Sequence, residues 1–390
     1  MTTPAPITRL GGRNIAAIVL AAGIATLLAA QNTARFEPLY REALARREAS
    51  LGAENPQTAQ SLVDLALFLN EHERPGEAEP LLRRTIRVLE KLDSREQLAS
   101  VLVNLADVRL AQGEGEDAEQ LLRKGLALRQ GTAGVGEILD RLTALLRLQG
   151  DLDEAEVLSR RALSAGRTAE RLRGLAVSIE PRGKTEEAAT LHREALALQE
   201  REFGPIHPQV ALTLNSLALL HVGAGEFDAA APLLERALAT FAQTLGPESA
   251  EAATALDNLG NVRRAQRDFP AAEKLLLRAL DIRRKALGEE HPDTAVTCNN
   301  LAGLYHVQGK LDLAEPLYRT AIAIRERQLG ENDQDTAQAL YNLGHLLRQK
   351  GDRAAAAAAF SRALAAAEAT LGANDPFTRD VRASLAAVQR

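Results

Sequence analysis

From Phe203 to Gly372 the chain repeats itself every 42 residues without an insertion, and the unit boundaries read Phe203-Gly204, Leu245-Gly246, Leu287-Gly288, Leu329-Gly330 and Leu371-Gly372. A fixed period of this length means a solenoid, in which each unit buries its apolar face only against its neighbours. Such a chain works as an extended surface, so its function turns on what that surface holds.

One unit shows which kind of solenoid this is. Cys298, Leu301, Ala302 and Tyr305 fall at helical spacing, Gly309 breaks the run, and Ala314, Leu317, Tyr318, Ala321, Ile322 and Ile324 resume it, which spells a helical hairpin. Two helices that cross closely need small or medium side chains between them, and the chain supplies these in phase. A Leu recurs at Leu65, Leu105, Leu142, Leu175, Leu217, Leu259, Leu301 and Leu343, and thirteen residues after each stands Ala78, Ala118, Ala155, Ala188, Ala230, Ala272, Ala314 or Ala356. The pattern predicts an all-α fold of about eight hairpins. Residues 33–130 and 188–375 hold the better repeats, 131–187 are irregular and shorter, and 376–390 form a capping helix. Phe36-Glu37-Pro38-Leu39-Tyr40-Arg41 aligns with Ala314-Glu315-Pro316-Leu317-Tyr318-Arg319 as the second helix of an N-terminal half-repeat.

These residues resemble the tetratricopeptide repeat, and the segment from His291 to Gly330 resembles its 42-residue kinesin light chain type. The resemblance covers residues 33–390. It implies an α-α superhelix whose first helices line a concave groove, a non-catalytic scaffold that binds a protein or peptide segment there. No long heptad run with charged flanks precedes the repeats, so a motor-binding role is not implied.

Helix starts carry their own chemistry. Asn55-Pro56, His207-Pro208, His291-Pro292 and Asp375-Pro376, with Ser249 and Asp333 at equivalent places, place an acceptor side chain before the first helical residue, and in four of them Pro follows. His207 and His291 are therefore expected to be helix caps. Equivalent positions of adjacent repeats lie on the order of 10 Å apart, too far to share one metal ion.

A net charge of -5 and a pI near 5.9, without any Lys/Arg block, argue against a nucleic-acid partner. The single Cys298 falls at a core-facing helix position, so no internal disulfide forms. Residues 1–32 stand outside the repeat pattern. Arg9 and Arg13 precede the uncharged run from Ile15 to Ala30, which reads as a signal peptide or membrane anchor and makes the chain extracytoplasmic, with membrane attachment through residues 15–30. The alternative is a buried first repeat helix in a cytoplasmic protein.

Catalytic and cofactor motifs are missing. Arg182-Gly183-Lys184-Thr185 ends like a phosphate-binding loop, but Ser178 stands where that loop needs Gly, and Gly183 aligns with the hairpin-turn residues Gly225 and Gly309. HExxH, CxxC and GxSxG do not occur. An enzyme assembled from distant repeats stays an alternative without a motif, and self-association of a structural repeat protein through an open end is a second one.

What rises above the background is a row of asparagines. One position before the Leu of the first helix stand Asn104, Asn258, Asn300 and Asn342, with Asn215, Asn261 and Asn299 close by on the same helices. An amide offers one acceptor and two donors, so a row of them can bridge the C=O and N–H groups of an extended backbone; the alternative is that they tie neighbouring helices together. Arg264, His306, Tyr341, His345 and Arg348, with Asp257, occupy the same face and make it increasingly basic toward the C-terminal end, which suits an acidic or aromatic-acidic peptide. Thr254, Val296 and Gln338 occupy the places where a carboxylate clamp would need Lys.

Overall fold

The computed structural model describes residues 22–129 and 134–389, and among them every regular element is helical. Two compact units divide between Leu198 and Gln199. In the first unit α1 (Ala22–Leu51) precedes three hairpins: α2 (Pro56–Glu71) with α3 (Pro75–Lys91), α4 (Arg95–Ala111) with α5 (Gly115–Leu128), and α6 (Val135–Gln149) with α7 (Leu152–Ala165). Then come α8 (Ala169–Ile179), one 3₁₀ turn (Glu180–Arg182), and α9 (Thr185–Phe203), within which the unit boundary falls. The second unit continues with hairpins α10 (Pro208–Gly223) and α11 (Phe227–Thr244), α12 (Ala250–Ala265) and α13 (Phe269–Leu287), α14 (Pro292–Val307) and α15 (Leu311–Leu329), and α16 (Gln334–Gln349) and α17 (Arg353–Leu371). It ends in α18 (Pro376–Gln389).

The solenoid expected from the period is thus the fold. All eight Leu of the series and all eight Ala are buried, the Ala completely. That is the geometry of close-crossing helices, where a larger side chain would push the pair apart. The repeat boundaries gain a backbone explanation as well. Gly288, Gly330 and Gly372 end their helices at φ 94°, 87° and 84°, where residues with a Cβ are strained, and their N–H groups donate to carbonyls four residues back at 3.1–3.2 Å.

Helix starts follow the caps predicted for them. His207 Nδ1 accepts from the Gln209 N–H at 3.2 Å and His291 Nδ1 from the Asp293 N–H at 3.1 Å, while Asn55, Ser249, Asp333 and Asp375 accept in the same way. Both histidines are therefore structural. Gly183 sits at φ 77° and donates to the Glu180 carbonyl at 2.9 Å, closing a hairpin turn as Gly225 and Gly309 do. The irregular middle has a cause too: α8 has 11 residues where the first helices of the second unit have 16, so one turn of the usual hairpin is missing there.

At the N-terminus α1 runs as one helix from Ala22 through Gln31 and Asn32, where a boundary was expected. Residues 15–21 of the apolar run lie outside the described residues, and no described helix is long and apolar enough to cross a membrane. Phe36, Leu39 and Tyr40 are 39%, 56% and 37% exposed, whereas Ala314 and Tyr318, counterparts of Phe36 and Tyr40, are buried; among the described residues no first helix precedes α1 to cover that side.

Candidate binding face of the first helices

In the second unit α10, α12, α14 and α16 approach one another in succession, and the second helices do not approach one another as closely. The first helices therefore form the inner layer of this unit. Their half-buried residues fall in register: Asn215, Asn258 and Asn261, Asn299 and Asn300, Tyr341 and Asn342 all sit partly exposed on this layer.

The asparagines divide into two kinds. Asn258 Nδ2 donates to Asn215 Oδ1 at 2.9 Å, and Asn300 Nδ2 donates to Asp257 Oδ2 at 2.7 Å, so both tie one first helix to the preceding one. The same rung is not made at the next step. Asn342 instead accepts from Gln338 of its own helix at 3.3 Å, and Asn299 Oδ1 is buried without a partner. Asn261 Oδ1 is likewise buried and unpartnered. The structure thus brings the ladder residues onto one layer and gives them unequal work.

Beneath the rungs lies a polar network that the sequence reading missed. Arg283, on the second helix α13, is only 5% exposed; it donates to the Asp293 carbonyl at 2.8 Å, to Thr297 Oγ1 at 2.6 Å and to Thr254 Oγ1 at 3.3 Å. Arg325, one period on, donates to the Asp335 carbonyl at 2.6 Å, and Arg47 makes the same bonds to the Gln57 carbonyl and Ser61 within the first unit. A buried guanidinium is tolerable here because it answers first-turn carbonyls of the next helix. Recurrence of Arg exactly one period apart at a core-facing position was the available signal. Asp257, 3% exposed, lies 3.8 Å from Arg283; burial raises its pKa, and Arg283 and the Asn300 amide oppose that shift. Its Oδ1 has no partner.

Arg264 stands apart from this network. Its guanidinium lies over Gly303 on the next first helix, where an added Cβ would come within 2.5 Å of it. Burial lowers its pKa, which means water no longer fully compensates the charge. Among the described residues its guanidinium makes no hydrogen bond or ion pair, Asp257 and Tyr318 acting on it only at longer range.

The remaining lining residues are more engaged with the protein than expected. Tyr341 packs on Phe360, Phe377 and His345 with ring centroids 5.8, 5.4 and 4.4 Å away. Burial pushes His345 down to about 4, with the Arg348 and His306 charges adding to it, and Arg348 lies 3.2 Å from its Nδ1. His306 is also lowered by burial and contacts Gln349 at 3.0 Å. The two imidazoles are therefore neutral near pH 7, and the positive charge of this face rests on Arg264 and Arg348.

A tetratricopeptide repeat model matches residues 17–91, 97–168, 167–243, 251–327 and 298–369, and a second such model matches 215–286. The chain belongs to the tetratricopeptide repeat family. The first match begins inside the apolar run. No curated protein matches the chain. Among solved structures it is similar to BtubC (BKLC) from P. vanneervenii, at 29% identity over 60% of this chain and 92% of that one, with a TM-score of 0.47. It is similar to the tetratricopeptide-like repeats of a putative kinesin light chain from Podosopora anserina, at 24% identity over 51% and 94%, TM-score 0.43. A tetratricopeptide repeat protein from Parabacteroides merdae shares its fold at 19% identity over 75% and 100%, TM-score 0.52.

Proposed function

We propose that this tetratricopeptide repeat protein is a non-catalytic scaffold that holds an acidic segment of a protein partner on the first-helix layer of its second unit. The family fold is typical of protein–protein interaction scaffolds. The observation that carries the finer reading is Arg264. This half-buried guanidinium has no anion partner among the described residues, and a partner's carboxylate would supply one. Gly303, lacking a side chain, lets the Arg264 guanidinium lie against the next first helix.

Selection of a displayed random-peptide library on the full chain tests this. Binders should be enriched in Asp and Glu, and Arg264→Gln should weaken them at least about tenfold, the size of a lost charge-assisted hydrogen bond. Binders without acidic residues, or binding indifferent to Arg264→Gln, would contradict the reading.

A further inference from the structure

The open side of α1 takes no part in the binding face of the second unit. Phe36, Leu39, Tyr40 and Ala43 fall at helical spacing there, and each of them is exposed. The chain is only 3% aromatic, and among the described residues Phe36, Tyr40 and Phe203 are its exposed aromatics. Two of these three stand on this one stripe. Aromatic side chains gathered at a surface mark a protein interface.

The stripe is held in place and carries no net charge. Tyr40 rests on Phe68 of α2 with ring centroids 5.0 Å apart, and Arg47 donates to the Gln57 carbonyl at 3.1 Å and to Ser61 Oγ at 2.7 Å. These residues border an open hollow of about 300 Å³, lined by the bulky Phe36, Leu39 and Tyr40 and by the small Ala43 and Ser61. At its edges Arg41 pairs with Glu37 at 2.8 Å and Arg46 with Glu42 at 2.6 Å. A face that balances its own charge meets an identical face without like-charge repulsion, whereas an anionic membrane finds no excess of positive charge on it.

The order of side-chain sizes along α1 selects the occupant. We propose that this side of α1 is a dimer interface, on which α1 of a second copy lies antiparallel about a two-fold axis between Leu39 and Tyr40. That axis sets Phe36 of each copy opposite Ala43 of the other, and Leu39 opposite Tyr40, so each ring enters the space that the small residues leave. A parallel pair would set ring on ring and leave Ala43 facing Ala43. Leu51, 43% exposed at the end of α1, extends the apolar strip that the second copy covers. The chain's own N-terminal segment is the poorer occupant. Because α1 runs unbroken from Ala22, a returning first helix would have to come from residues 1–21, where Pro4, Pro6, Gly11 and Gly12 interrupt it.

Sedimentation equilibrium of the full chain over a range of concentrations tests this. A monomer–dimer equilibrium is expected, and Leu39→Glu, which sets two carboxylates beside the axis, should raise its dissociation constant at least about hundredfold. The register has its own test. Phe36→Ala and Ala43→Phe should each weaken the dimer about tenfold, the first by removing the ring and the second by setting ring on ring. The double variant exchanges the two sizes and should return to within about threefold of the starting value. These positions are exposed on α1, so the helical circular dichroism of every variant should hold. A chain that stays monomeric at all concentrations overturns the proposal, as does a dimer indifferent to Leu39→Glu. A double variant as weak as its two parts combined overturns the antiparallel register. Flotation of a monomeric chain with phosphatidylglycerol vesicles, abolished by Leu39→Glu, would give the face to lipid and overturn the dimer.

Discussion

Phe360→Ala is expected to lower the stability of the second unit by about 3–5 kcal/mol, the usual cost of removing a fully buried Phe. Phe360 is wholly enclosed on α17 and faces Gly344 of α16, where the missing Cβ is the reason the ring fits: a methyl there would stand 2.6, 2.7 and 2.9 Å from three ring carbons. A flat ring wedged between backbones cannot swing away as a Lys terminus could. Gly344→Ala alone should therefore cost about 1–3 kcal/mol by overpacking. The double variant discriminates. With the ring gone the new methyl enters the vacated space, so the pair should cost less than the sum of the single changes. Additive losses in urea unfolding would mean that the two residues are not in contact.

Acid is expected to weaken the first unit through His192. This side chain is 1% exposed with both ring nitrogens buried and unpartnered, and burial, helped by the nearby Arg173 charge, lowers its pKa from 6.5 to about 4. The unfolded chain takes up a proton below about pH 6.5 while the folded one refuses it until about pH 4. Stability from this group is thus complete above pH 6.5 and is lost as the pH falls between those values, by up to about 3 kcal/mol. His345 in the second unit acts with the same sign. His192→Leu should flatten the pH dependence of unfolding between pH 7 and 4. An unaltered slope in that variant would assign acid sensitivity to other groups.

The fold was legible because its determinants are periodic. Helix starts at His207 and His291, the Ala and Leu of the hairpin crossing and the glycine helix ends all depend on local sequence and recur at one spacing, so the register alone locates them. The binding face was legible as a place and not as a mechanism. That Asn258 and Asn342 would behave differently depends on what lies one repeat away and on Gln338, which no single-repeat pattern encodes. The basic character assigned to His306 and His345 failed to allow for burial, which removes the charge that the residue names suggest. Arg283 and Arg325 were overlooked for the converse reason. Charged side chains on helices are usually solvated, and it is carbonyls of the following helix, joined for Arg283 by the Thr297 and Thr254 hydroxyls, that make these two stable inside.

The account stands most directly on where a bound segment lies. A photo-crosslinking amino acid placed at Val296, partly exposed on the first helix α14, should capture the selected acidic peptide, and one placed at Leu277, exposed on the second helix α13, should not. Crosslinking from Leu277 with none from Val296 would place the partner on the outer layer and contradict the assignment of the first-helix face as the binding surface.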